Sequence, residues 1–236
     1  MRSFASLRTT GRAVPRLPAD PEGFIRSNTA LEAPAMVPEF KLWLASEYVP
    51  IWQATEAWLE EQNIDPPYWA FCWPGGQAIA RYLLDNPDQV RSKHVIDFAA
   101  GSGVSSMAAA RAGAASVIAN DIDALSLVAA QLNAEANGLS FEISVEDWLA
   151  GPDGAPAADV VIAGDVCYER DMSARALAWL RSHARLGRLV LLGDPGRNYF
   201  SAQGLSERAR YEIPTSLQLE NHGMRETVVW QVLPHP

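Results

Sequence analysis

Cysteine is nearly missing: Cys72 and Cys167 are the pair present in 236 residues. Two are too few for a metal cluster or a disulfide framework, which favours a reducing compartment and predicts no metal. Long apolar runs are missing altogether. None approaches the roughly eighteen residues that a bilayer crossing requires, so a membrane-spanning helix is excluded. Basic residues are in the minority, 19 Lys and Arg against 28 Asp and Glu, for a formal net charge of −9. That field repels phosphate backbones and no concentrated Lys/Arg face offsets it, so nucleic acid is not an expected partner. It suits a cationic or lysine-bearing partner, or serves solubility alone. Acids are missing from residues 1–19, which hold Arg2, Arg8, Arg12 and Arg16 but no apolar core of a secretory signal. This start reads as a flexible arm, residues 1–35, of a cytoplasmic protein; the alternative is a transit peptide to the mitochondrial matrix.

What is present is an ordinary globular composition, 48% hydrophobic and 20% charged, of a length that suits one domain. Residues 36–236 form that domain, with a helical lead-in and Trp-rich loop over 36–90 and an α/β core over 91–236. Phe40, Leu42, Trp43 and Leu44 open an amphipathic run that continues to residue 61, read as one or two helices interrupted at Pro50. Beyond it, short apolar runs alternate with longer helical ones. Strands are expected at 94–98, 116–120, 141–145, 159–164 and 188–192, and helices at 77–84, 104–112, 124–137 and 173–184. Repeated strand–helix–strand units with right-handed crossovers make a doubly wound, Rossmann-like parallel sheet covered on both faces. The end contains too little helix for another unit: strands at 211–213 and 227–232, with Asn221-His222-Gly223 between them, predict an antiparallel hairpin closing a seven-stranded, mostly parallel sheet.

The first core strand runs through Asp97 and Phe98 into Ala99-Ala100-Gly101-Ser102-Gly103 and then a helix. Gly101 and Gly103 let backbone amides approach a ligand at a helix N-terminus, as in nucleotide-binding α/β folds. Asp121 follows at the end of the next strand, where a carboxylate can accept both hydroxyls of an adenosine ribose, while Asp123 is placed to cap the next helix. A dinucleotide loop would carry a third glycine where Ser106 stands and would end its strand apolar. Here an acid, Asp97, precedes the loop. It complements the cationic methionine end of S-adenosylmethionine better than a pyrophosphate, and a nicotinamide-dependent oxidoreductase is the weaker reading.

These residues, with Glu146-Asp147-Trp148 and Asp165-Val166-Cys167-Tyr168 after later strands, resemble the seven-β-strand methyltransferases, and within them the family-16 protein lysine methyltransferases with their D-x-x-Y motif. Tyr68-Trp69-Ala70-Phe71-Cys72-Trp73-Pro74-Gly75-Gly76, Gly193-Asp194-Pro195-Gly196-Arg197 and the closing Arg225 to Trp230 are similar to the group that modifies the β subunit of electron transfer flavoprotein, including bacterial relatives. The likeness covers roughly residues 38–230. One departure is Ala99, where many methyltransferases have glycine.

The resemblance implies S-adenosylmethionine as cofactor and a monomer acting on a lysine-bearing protein, that β subunit first, with a ribosomal protein as the alternative. It implies Asp165 and Tyr168 as catalytic residues, the acid positioning the lysine and the ring walling its channel. Trp73, Asp97, Ala99, Gly101, Gly103, Asp121, Ile122, Asp147, Trp148 and Gly164 would contact the cofactor, with Trp148 near the adenine and Trp73 near the methionine end. Asp147 could instead serve its own turn. Asp194 to Arg197 either border the substrate entrance or make a solvated turn.

Overall fold

The computed structural model describes residues 17–45, 67–150, 155–215 and 223–235. Helix α1, Pro21–Asn28, starts where the Asp20 carboxylate accepts the Gly23 N–H and a proline enters the first turn. Two short strands follow, β1 Ala30–Glu32 and β2 Leu42–Leu44, paired antiparallel. Helix α2, Pro74–Asp85, leads into β3 His94–Phe98, α3 Val104–Arg111, β4 Ser116–Asn120, α4 Ala124–Ala136, β5 Glu142–Ser144 and β6 Val160–Gly164. Helix α5, Arg170–Arg185, then β7 Leu189–Asp194, β8 Leu205–Pro214 and β9 Met224–Val232 complete the order.

Seven of these strands form one sheet, ordered β5-β4-β3-β6-β7-β9-β8. The first five are parallel; β9 runs antiparallel to β7 and to β8. The expected doubly wound sheet with its closing hairpin is therefore present. The hairpin strands are longer than the apolar residues alone indicate, because β8 exposes Glu207, Arg208, Arg210 and Glu212 to solvent, with a register shift between Glu207 and Ala209. The tip at Asn221-His222 lies outside the described residues.

Strand alternation divides the core. Val95, Val160, Ile162 and Leu191 pack on one face with Ile79, Leu83, Met107 and Ala108 of α2 and α3. Ile96, Val161, Ala163, Val190 and Leu192 pack on the other with Ala176, Leu177, Leu180 and Ala184 of α5, four residues at helical spacing on one stripe. Burial on both faces explains why these strands read as unbroken apolar runs.

Two expectations are corrected. Residues 17–35 are not a loose arm: Ile25 on α1 is fully buried in a cluster with Trp69, Leu125, Ala129 and Leu132. The lead-in expected as helix contains β2, since Phe40, Leu42 and Leu44 are the buried positions with exposed Lys41 and half-buried Trp43 between them, a period of two. The rest of that expected helix, from residue 46, lies outside the described residues.

Candidate active site

The carboxyl ends of β3, β4, β6 and β7 lie side by side, and the loops leaving them bring together two groups of the expected site residues. The first surrounds the glycine loop. Ala99, Gly101 and Gly103 all have positive φ, 56°, 53° and 76°, so the chain turns sharply from β3 into α3. The two glycines do different work. A Cβ on Gly103 would stand 2.8 Å from that of Ala130, so this glycine lets the loop touch α4; one on Gly101 would meet nothing within 4 Å. Gly101 is the residue whose bareness leaves the loop open.

Behind the loop, Asp97 is 2% exposed and accepts a 2.6 Å hydrogen bond from the Ser106 hydroxyl. Burial pushes its carboxyl up to about 7, the Ser106 bonds opposing. Asp121 Oδ2 accepts from the Gly101 N–H at 3.0 Å and from Ser126 Oγ at 3.1 Å, while Oδ1 accepts from the Asp123 N–H. It therefore holds the glycine loop to β4. Next to it Ile122 is 53% exposed, an apolar shelf at the sheet edge. Asp123 caps α4 through the Leu125 N–H, as its position indicates.

The segment after β5 is tied to this edge by Asn120, whose amide donates to the carbonyls of Ser144 and Glu146 at 2.9 Å each. Asp147 serves its turn, accepting from the Leu149 N–H at 2.9 Å with Arg175 at 3.8 Å. Trp148 is buried, its ring stacked 6.3 Å from Trp179 of α5 and its indole N–H donating to Glu146. Its large surface goes into the core beneath the edge.

The second group stands over β6 and β7. Asp165 takes positive φ, 57°, a conformation that aspartate tolerates better than most residues. Its backbone N–H donates to the Gly193 carbonyl and its Oδ2 accepts from the Gly76 N–H at 3.2 Å. An acid 89 residues away thus caps the first turn of α2. That helix end docks through glycines: a Cβ on Gly164 would lie 2.7 Å from the Gly76 nitrogen, and one on Gly75 would lie 2.3 Å from the Gly193 oxygen. The space beside Gly164, a residue expected at the cofactor, is taken by the α2 backbone.

Arg197 completes this group. Its Nε and Nη2 donate to Asp165 Oδ1 at 3.1 and 2.7 Å, in a pair whose side chains are 15% and 11% exposed. The guanidinium lies 5.4 Å from the ring of Trp73, within cation–π range. Trp73 donates its indole N–H to the Tyr68 carbonyl, and Tyr68 stands 5.8 Å from Tyr168, centroid to centroid. Asp165, Tyr168 and Trp73 are therefore joined, through Arg197 and Tyr68, in one cluster of contacts, here called the recess. Behind it Asp194 Oδ1 accepts from the N–H groups of Gly196 and Arg197, both at 2.7 Å. Burial, then the Asp165 charge, pushes Asp194 up to about 6.

Ser106, Ser126, Asn120 and Asn133 are supporting residues that the motifs did not single out. Asn133, fully buried, donates to the Ser102 carbonyl and accepts from the Trp43 N–H. Their only signal is a polar residue on the buried side of a helix or at a strand end. Among the described residues no group of three or more His, Cys, Asp or Glu could hold a metal ion.

Comparison with known proteins agrees with this geometry. The profile of the ribosomal protein L11 methyltransferase family matches residues 78–166. The electron transfer flavoprotein beta subunit lysine methyltransferase of Rattus norvegicus is 35% identical over 221 residues, 90% of this chain and 84% of the relative. The Homo sapiens protein of the same name is 36% identical over 225 residues, 91% and 84% of the two chains. Among solved structures, Thermoplasma acidophilum 1320 superposes with a TM-score of 0.50 at 18% identity, covering 67% of this chain and 90% of its own, which shows the shared fold. With more than four-fifths of its relatives' length matched at this identity, the chain belongs to the electron transfer flavoprotein beta subunit lysine methyltransferase family.

Proposed function

We propose that this enzyme transfers a methyl group from S-adenosylmethionine to lysine side chains of a protein, the β subunit of electron transfer flavoprotein. The observation that carries the reading is the pairing, along one sheet edge, of an acid-backed glycine loop with a recess of Asp165, Tyr168, Tyr68 and Trp73. The relatives' names, matched over most of their length, supply the substrate. The L11 match ends at residue 166, before Tyr168 and Arg197, so it speaks for the cofactor half and less for the substrate.

The residues fit the cofactor. An ammonium group beside buried Asp97 would keep that acid ionised, Asp121 offers acceptors for a ribose, exposed Ile122 offers apolar contact for an adenine, and Gly101 leaves room. S-adenosylmethionine supplies an electrophilic methyl carbon on a sulfonium. The chain's share is alignment and exclusion of water, because in-line displacement needs little else. Tyr68, Tyr168 and Trp73 wall the approach, and Asp165 stands at its end to orient the amine. The amine must arrive neutral; its lone pair forms the new N–C bond, the C–S electrons return to sulfur, and the surplus proton leaves to water. The described residues contain no helix long and apolar enough to cross a membrane. On this reading the enzyme works as a monomer in the cytoplasm, or in the mitochondrial matrix where residues 1–19 act as a transit peptide.

The test incubates the purified protein with methyl-labelled S-adenosylmethionine and either electron transfer flavoprotein or a cell extract, and locates the label by mass spectrometry. Label on a β-subunit lysine is expected. Label on a ribosomal protein alone would replace the substrate, and no protein label would refute the reading.

A further inference from the structure

On the lysine-methylating function proposed for this chain, we infer that Arg197 is a positioning residue: a fixed counter-ion that occupies the Asp165 carboxylate, so that the recess admits the substrate amine in its neutral form. An unpaired carboxylate at the end of a lysine channel would bind the ammonium form and hold its proton on, which works against attack. Arg197 removes that conflict. Its Nε and Nη2 both sit on Asp165 Oδ1, and the other oxygen is engaged by the Gly76 N–H. A second cation arriving there meets a guanidinium already in place.

The arginine is anchored at both ends. Its backbone N–H is held by Asp194 Oδ1 in a turn shared with the Gly196 N–H, and its guanidinium lies against Trp73. Swinging the side chain out would break both Asp165 bonds and the Trp73 contact together while the turn still held its backbone, so the guanidinium reads as a fixture and not as a plug that the substrate displaces.

Among the described residues, the other titratable groups around Asp165 are two thiols, two phenols and one carboxyl, Asp194, which feels the charges of both Asp165 and Arg197. Cys72, before α2, and Cys167, after β6, are thiols that burial pushes up, with the Asp165 charge adding to the effect; both stay neutral. Tyr68 and Tyr168 are phenols. Asp194, behind the recess, is 2% exposed and its Oδ1 faces the amides of its own turn, on the backbone side of Arg197.

The experiment measures kcat of the full-length enzyme from pH 6.5 to 10, with saturating S-adenosylmethionine and electron transfer flavoprotein, for the parent, Arg197→Gln, Arg197→Lys and Asp165→Asn. Melting curves verify folding. Activity should rise with pH to a plateau as the bound lysine loses its proton. Arg197→Gln should move the midpoint up by about one unit, a roughly tenfold loss near neutrality that closes at high pH. Arg197→Lys keeps the charge and should stay near the parent. Asp165→Asn, which takes the carboxylate's negative charge from beside the arginine, should move the midpoint down, so either variant alone decides the sign if the other fails to fold. Losses uniform across pH would make the contact merely structural and overturn the inference. Arg197→Gln exceeding the parent at neutral pH with an unmoved midpoint would overturn it too, by making the guanidinium a plug. A parent that labels no protein fails earlier, on the function itself.

Discussion

Asp97 is a buried acid whose charge is costly alone and useful beside a cation. Burial pushes its carboxyl up to about 7 from an unfolded value near 3.9. The folded protein thus holds a proton that the unfolded chain has shed between about pH 4 and 7, so this group's contribution falls as pH rises through that window and is constant above it. An ammonium group bound beside it reverses the balance, because the pair needs the ionised acid. Affinity for S-adenosylmethionine should therefore fall by up to about tenfold per unit as pH drops below 7. Asp97→Asn should be more stable than the parent without ligand at pH 8 and bind the cofactor more weakly there; the affinity gap should narrow as pH drops below 7, and the stability gap should close only toward pH 4, where the carboxyl is protonated in the folded and the unfolded chain alike. Calorimetric titration and melting curves at four pH values check this; equal cofactor affinity of the two proteins at pH 8 would remove Asp97 from the site. A second contrast sets Gly101 against Gly164. Alanine at Gly101 meets open space and a strained φ, so stability should drop by only about 1 kcal/mol while cofactor affinity falls. Alanine at Gly164 strikes the Gly76 backbone, so it should cost about 1–3 kcal/mol and lower kcat more than affinity, since the Gly76 bond to Asp165 must shift.

Secondary elements differ in how openly the residues declare them. Strands β3 and β4 match the expected ranges residue for residue, because a strand covered on both faces must be apolar throughout and is bounded by turn formers. Helix α5 begins three residues before its expected start, since its first turn, Arg170-Asp171-Met172, faces largely outward and carries little apolar signal. Strand β2 was hidden because three consecutive large apolar residues fit either period, and it is the pairing with β1 and the contact with Asn133 of α4 that favour the strand. Helix α1 was hidden because one buried isoleucine among polar neighbours leaves little periodicity. Ile25 nevertheless sits fully buried against Trp69 and Leu125. Ile25→Ala should lower stability by about 2–5 kcal/mol, read as a lowered urea midpoint; a change under 0.5 kcal/mol would mean that α1 is not seated on the body in solution. The site divides in the same way. Asp97, Gly101 and Asp121 could be found because loop and strand end are close in sequence. The Asp165–Arg197 pair spans 32 residues and the Asp165–Gly76 bond 89, so no local pattern announces either; the sheet order brings them together.

The whole molecule carries a net charge of −9, and that field acts on a substrate before any recess does. A lysine presented on a protein surface is drawn toward an acidic enzyme, and attraction between exposed charges is screened over about 10 Å at 0.1 M salt. Encounter should weaken as salt rises, while the chemistry in a recess whose Asp165–Arg197 pair is largely buried should change little. Raising sodium chloride from about 50 to 300 mM should therefore increase KM for electron transfer flavoprotein several-fold with kcat nearly constant. The KM for S-adenosylmethionine should move less if its contacts lie, as proposed, with Asp97 and the loop inside the fold. Steady-state kinetics at three salt concentrations separate these terms. A protein-substrate KM independent of salt would assign the surface acids to solubility and leave recognition to shape and the recess; a kcat that falls with salt instead would place the sensitive charges at the reacting amine.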